Sequence, residues 1–145
     1  MDKNFIQEAE SVRISRLCGI IENPEIVTWA DSKIEAGFIE DELLDISTNP
    51  LSTADYLSKL RSLAKNADSF QALRVVCGQV LERLQADASR TAQYAGGLYQ
   101  IAVENNQKMP ADLAFIGTVA DDIAARKPDA EKTFLENLNK AKASA

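Results

Sequence analysis

Histidine is absent from the 145 residues. That removes the side chain that most often acts as general base, as metal ligand and as partner of a serine or cysteine nucleophile. Only two cysteines occur, Cys18 in LCGII and Cys77 in RVVCGQV. They lie in apolar contexts, far apart and outside any metal-ligand spacing, so both are expected to be buried free thiols, with no oxidising compartment implied. The six glycines form neither G-x-G-x-x-G nor G-x-x-x-x-G-K, which excludes the common phosphate-binding loops. Charged residues interrupt every apolar run well short of the ~20 residues a membrane span needs. The start, MDKNFIQEAESVRIS, has no basic region followed by a signal-length apolar stretch. A soluble cytoplasmic protein without a membrane partner is therefore expected.

What is present is helical periodicity. Apolar residues make up 46 % of the chain, enough for one core, and recur at helical rather than alternating spacing. The fold class expected is all-α, a compact single-domain bundle of seven to eight helices over residues 1–145, with no linker or fixed-period repeat. The first helix, about Asp2 to Cys18, should bury Phe5, Ala9, Val12, Ile14, Leu17 and Cys18 and stop near Gly19. Asn23-Pro24 reads as an N-cap followed by proline at the first helical position, opening a helix that buries Val27, Ala30 and Ile34 and ends at Gly37. A short third helix, about 39–46, should bury Ile39, Leu43 and Ile46.

The clearest break is STNPLS, near 47–52. Ser52 and Asp55 then form a variant capping box ahead of Tyr56, Leu57, Leu60, Leu63 and Ala64. After a second break at Asn66 to Ser69, the strongest stripe follows: Leu73, Val76, Cys77, Val80, Leu81 and Leu84. An alanine-rich helix, about 88–106, contains Gly96-Gly97, which costs about 1 kcal/mol per glycine relative to alanine and points to close backbone packing. KMPAD and KPDAE each place proline in a first helical turn. They should open a helix bearing Leu113, Ile116, Ala120 and Ile123, and a last one bearing Phe134, Leu135, Leu138 and Ala141, with residues 141–145 frayed.

Charge is the most informative feature. The net value of −6 argues against nucleic acid, whose recognition rests on clustered Lys and Arg. Residues 22–45 hold 8 acids and only Lys33, which accounts for the whole imbalance. Such asymmetry creates a field that speeds encounter with a basic partner.

Could these acids do chemistry? Without histidine, the remaining option is carboxylate chemistry with a hard cation such as Mg²⁺. Glu22-Asn-Pro-Glu25 and Glu42-Leu-Leu-Asp45 form E-x-x-E followed, after 16 residues, by E-x-x-D. That resembles the metal signature of the all-α nucleoside triphosphate pyrophosphohydrolases of the MazG type. The resemblance implies Glu22, Glu25, Glu42 and Asp45 as Mg²⁺ ligands. In that family the first pair shares one helical face, whereas Pro24 here places Glu22 outside the helix. Asp121-Asp122 is a second acid pair, but adjacent residues point about 100° apart on a helix and cannot chelate one ion alone. It reads as a solvated face with an Asp122–Arg126 pair.

The reading preferred from the residues is a non-catalytic protein–protein interaction module with no cofactor and no catalytic residues. Trp29, Asp31, Glu35, Asp41, Glu42 and Asp45 are its partner-binding set, an acidic corner on two short helices that docks a basic protein. A bacterial immunity protein or antitoxin-type inhibitor is the concrete example, by size, charge and fold class. The alternatives are the Mg²⁺-dependent pyrophosphohydrolase and a helical adaptor or regulatory subunit acting as a homo-oligomer.

Overall fold

The first, fourth and fifth helices begin where an Asp or Ser side chain accepts from free backbone N–H groups, and the first stops where the chain turns left-handed. A computed structural model describes residues 2–105 and 109–145 of the chain. Among these, eight α-helices and no strands occur. Helix α1 (Lys3–Cys18) is capped by the Asp2 carboxylate, which accepts from the Asn4 and Phe5 N–H groups at 2.7 and 3.3 Å. It ends at Gly19, whose φ of 80° suits glycine. Helix α2 (Asn23–Glu35) is followed by α3 (Asp41–Thr48) and α4 (Thr53–Leu63), and the latter is capped by Ser52 Oγ accepting from the Asp55 N–H at 3.1 Å. Then come α5 (Ser69–Ala86), α6 (Thr91–Asn105), α7 (Ile116–Ala124) and α8 (Ala130–Ala143). No helix among the described residues is long and apolar enough to cross a membrane.

The buried side chains form two clusters that share α1. Phe5 and Ala9, in its first half, pack with Ile26, Leu43, Ile46, Leu60 and Leu63 of α2–α4. Ile14 and Cys18, in its second half, pack with side chains of α5–α8, including Leu73, Leu98, Ile116 and Phe134. Burying each large side chain contributes about 1.5–3 kcal/mol, so α1 is the element on which both halves depend. Packing from several sides also explains why α1 has no single apolar stripe. Glu10, Arg13 and Ser15 are buried, whereas the expected core residues Val12 and Leu17 are only half-buried.

Several boundaries differ from those the sequence predicts. Glu22, not Asn23, occupies the cap of α2, and Ile26 is buried where Val27 and Ile34 are half-buried. Leu113 and Ile116 do not share one α-helix. A 3₁₀ turn (Ala111–Leu113) precedes α7, and the spacing of three that joins them fits a 3₁₀ turn as well as a helix. Pro128 lies in the α7–α8 turn, two residues ahead of α8, because Asp129 adopts a left-handed φ of 61° before the helix begins. The tail is more ordered than expected: α8 runs through Ala143, and Ala141 is fully buried. A 3₁₀ turn (Ala88–Arg90) precedes α6, whose expected end at 106 and the Lys108 of KMPAD lie outside the described residues.

Gly97 shows the close packing the glycine pair implies. A Cβ there would lie 2.5 Å from the Cα of Cys18, so α6 crosses the end of α1 backbone to backbone, whereas Gly96 faces open space.

Candidate functional site

Helix α3 doubles back along α2 after the turn at Gly37, whose φ is 103°. This places the Ser47 hydroxyl on the Asp31 carboxylate and ties the two helices together at the acidic corner. Glu35 and Asp41 are exposed and form no ion pair with the described residues. Asp45 is neutralised by Lys59 of α4 at 2.9 Å. The hydrogen bond and charge of Asp45 hold the Lys59 ammonium above its ordinary pKa, with smaller help from Glu42 and Asp55. The corner is therefore acidic at its Glu35–Asp41 end and compensated at its Asp45 end.

Two expected features of this corner are corrected. Trp29 does not rim it: the indole is half-buried against α1, stacked on Phe5 at 5.9 Å, and its Nε1–H donates to Glu8 Oε1 at 2.6 Å. Glu8 also pairs with Lys33 at 2.7 Å, so Trp29 belongs to a neutralised α1–α2 seam. Ile39 is not a core residue. Helix α3 starts only at Asp41, with Glu40 at its cap, so the helical spacing that links Ile39 to Leu43 never applies. Ile39 is instead 82 % exposed, between Glu35 and Asp41 in sequence, and Leu44 adds a further 42 % exposed apolar side chain on α3.

Three of the four carboxylates of the metal-like signature are used in other ways. Glu25 Oε2 accepts from the Glu22 N–H at 2.7 Å, which completes the start of α2, and Glu22 reaches Arg16 at 3.8 Å. Asp45 is the partner of Lys59. Among the described residues, no group of three or more His, Cys, Asp or Glu side chains is arranged to hold a metal ion. Asp122 pairs with Lys127 at 2.9 Å rather than with Arg126, because the chain leaves helical geometry at Arg126, whose φ is 53°.

Two further features are invisible in the sequence. A cleft of about 650 Å³ lies between α1, α2 and α5, with Val12, Ile21, Trp29 and Val75 as apolar walls and Ser11 and Gln79 as polar ones. On the opposite side of α1, Arg13 is buried and bridges two carboxylates, with Nε on Glu10 Oε1 at 2.5 Å and Nη1 on Glu104 Oε1 at 2.7 Å. Burial works against its charge, but the two carboxylates outweigh burial and raise its pKa above the ordinary value. Arg61 reaches the same oxygen of Glu104, and Ser69 Oγ donates to Glu10 Oε2 at 2.6 Å. Glu104 is 91 residues from Arg13, a separation no local pattern could reveal.

Comparison with protein-family models, with curated proteins and with solved structures finds no match to this chain.

Proposed function

We propose that the protein is a non-catalytic interaction module whose α2–α3 corner docks a basic protein partner. The observation that carries this reading is Ile39, an almost fully exposed isoleucine beside Glu35 and Asp41, two carboxylates that form no ion pair with the described residues. Water-exposed isoleucine gains nothing for the isolated fold. On docking, its burial contributes up to about 1.5–3 kcal/mol. The surrounding acids steer a cationic surface into place and discriminate against acidic ones. In this reading Ile39 and Leu44 replace Trp29 as the apolar anchors, and Glu35, Asp41 and Glu42 supply the field. An inhibitor of the immunity or antitoxin type, which covers the cationic active site of another protein, is the most specific member of this class that the charge and size support.

The test is an interaction screen against proteins of the source cell with three baits: the wild-type chain, Ile39→Arg, and the charge reversal Glu35→Lys with Asp41→Lys. A basic protein retained by the wild type and released by both variants, with an association rate that falls as salt rises, supports the proposal. If every retained protein binds all three baits alike, the corner is not a docking face. Concentration-dependent self-association abolished by Ile39→Arg would instead assign the patch to a homo-oligomer.

A further inference from the structure

We propose that the polar cavity where α4, α5 and α6 meet the side of α1 is a binding site for a small phosphoryl-bearing anion, with the Glu104 carboxylate as its built-in competitor. The cavity has a volume of about 310 Å³, and three cations line it: Arg13, Arg61 and Lys65. Two acids face them, Glu10 and Glu104. Both oxygens of Glu10 are already engaged, one by Arg13 Nε and the other by Ser69 Oγ. Lys65 forms no ion pair with the described residues. The cavity thus carries a local excess of positive charge in a chain of net charge −6.

The way Glu104 sits there points to the shape of the ligand. Arg13 Nη1 and Arg61 Nη2 both donate to Oε1, and Oε2 receives no hydrogen bond from the described residues. Arginine binds carboxylate best when two parallel donors meet two oxygens. With two guanidiniums on one oxygen, neither arginine makes the two-pronged contact with Glu104, and Arg13 Nη2 and Glu104 Oε2 form no hydrogen bond with the described residues. A phosphoryl group presents three oxygens around one centre, one for each cation, and matches the planar fork of arginine. Glu104 is 34 % exposed at its side chain and lies in the last turn of α6, so it can turn outward to solvent when an anion takes its place. No residue of α2 or α3 lines the cavity, and this site stands or falls independently of the acidic corner.

Calorimetric titration of the full chain with inorganic phosphate and with pyrophosphate, at ionic strength held constant with sodium chloride, tests the proposal. Pyrophosphate is expected to bind the wild-type chain and to raise its melting temperature. Removing the competitor in Glu104→Gln should tighten binding at least tenfold. Arg61→Gln, a change at a side chain 63 % exposed and safe for folding, should weaken it at least tenfold. Lys132→Gln, outside the cavity on α8, should leave it unchanged. No binding of millimolar pyrophosphate to the wild-type chain, or equal binding by Arg61→Gln, would show that these cations serve only their own carboxylates and would overturn the proposal. The wild-type and Arg61→Gln comparison decides the matter even if Glu104→Gln fails to fold.

Discussion

Gly97 of α6 rests against the backbone of Cys18 at the end of α1, where a Cβ would come within 2.5 Å of the Cys18 Cα and 3.1 Å of the Leu17 carbonyl oxygen. Neither contact is with a flexible side chain, so one helix must move to admit a methyl group. Gly97→Ala is expected to destabilise the fold by about 1–3 kcal/mol, despite its better helix propensity. Gly96→Ala, one residue away and facing open space, should stabilise by up to about 1 kcal/mol. Urea denaturation of the two variants checks the pair, and equal effects would mean that α6 does not cross α1 so closely.

Arg74 and Asp112 form a two-pronged ion pair, Nε to Oδ2 at 2.8 Å and Nη2 to Oδ1 at 3.1 Å, which ties α5 to the turn before α7. The hydrogen bond from Arg74, followed by its charge, holds the Asp112 carboxyl below its ordinary range. A depressed folded-state pKa means the stabilisation is fully present above the unfolded value of about 3.9 and is lost as pH falls through the folded value. Arg74→Gln should therefore cost up to about 1 kcal/mol at pH 7, and its difference from wild type should shrink below pH 4. Melting curves across pH 2.5–7 (roughly the window set by the carboxylate pKa) would expose a pair that contributes nothing, through parallel profiles.

Ile39 and Leu43 look equivalent as a sequence pattern, yet one is 82 % exposed and the other fully buried. Leu43→Ala should lose about 2–5 kcal/mol, while Ile39→Ala should stay within about 0.5 kcal/mol of wild type. Chemical denaturation separates them, and a large loss at Ile39 would place it in the core after all.

Cys18 and Cys77 are both fully buried among apolar side chains, and burial pushes each thiol up to about 12. Thiolate is the reactive form, so a disulfide reagent at pH 8 should label neither residue in the folded chain. Labelling should appear only with denaturant, at the rate of unfolding. Rapid labelling of either cysteine in native buffer would contradict the packing around it.

Much of the fold is legible in chemistry between near neighbours, though the caps of α2 and α8 are not. Ser52 capping α4, Gly19 ending α1 and the stripe Leu73, Val76, Cys77, Val80, Leu81 and Leu84 in α5 all depend on neighbours within a few residues. Periodicity alone does not place Ile39, because it does not say where a helix starts, and Glu40 at the cap removes Ile39 from the row. The position of Trp29 is not legible locally, because its partner is Glu8, 21 residues away on another helix. Of the acidic corner, the positions of Asp31, Glu35, Asp41 and Asp45 on two adjoining helices were legible, but the Lys59 that neutralises Asp45 was not. The arginine cluster on Glu104 left no trace at all, since a contact between α1 and α6 follows only from how the helices pack.

The shared role of α1 also sets an order for biosynthesis. It is made before the helices it packs against, and Phe5 and Ala9 can settle against α2–α4 once residue 64 has emerged. Arg13, however, must wait a further stretch for Glu104, 91 residues behind it, which at about 5–20 residues per second means roughly 5–20 s. Until α5 emerges Ile14 and Cys18 have none of their α5–α8 partners, and until Glu104 follows, the buried guanidinium holds only the carboxylate of its own helix. The nascent chain is thus a half-built protein with an open apolar flank, the stage at which a chaperone has most to do.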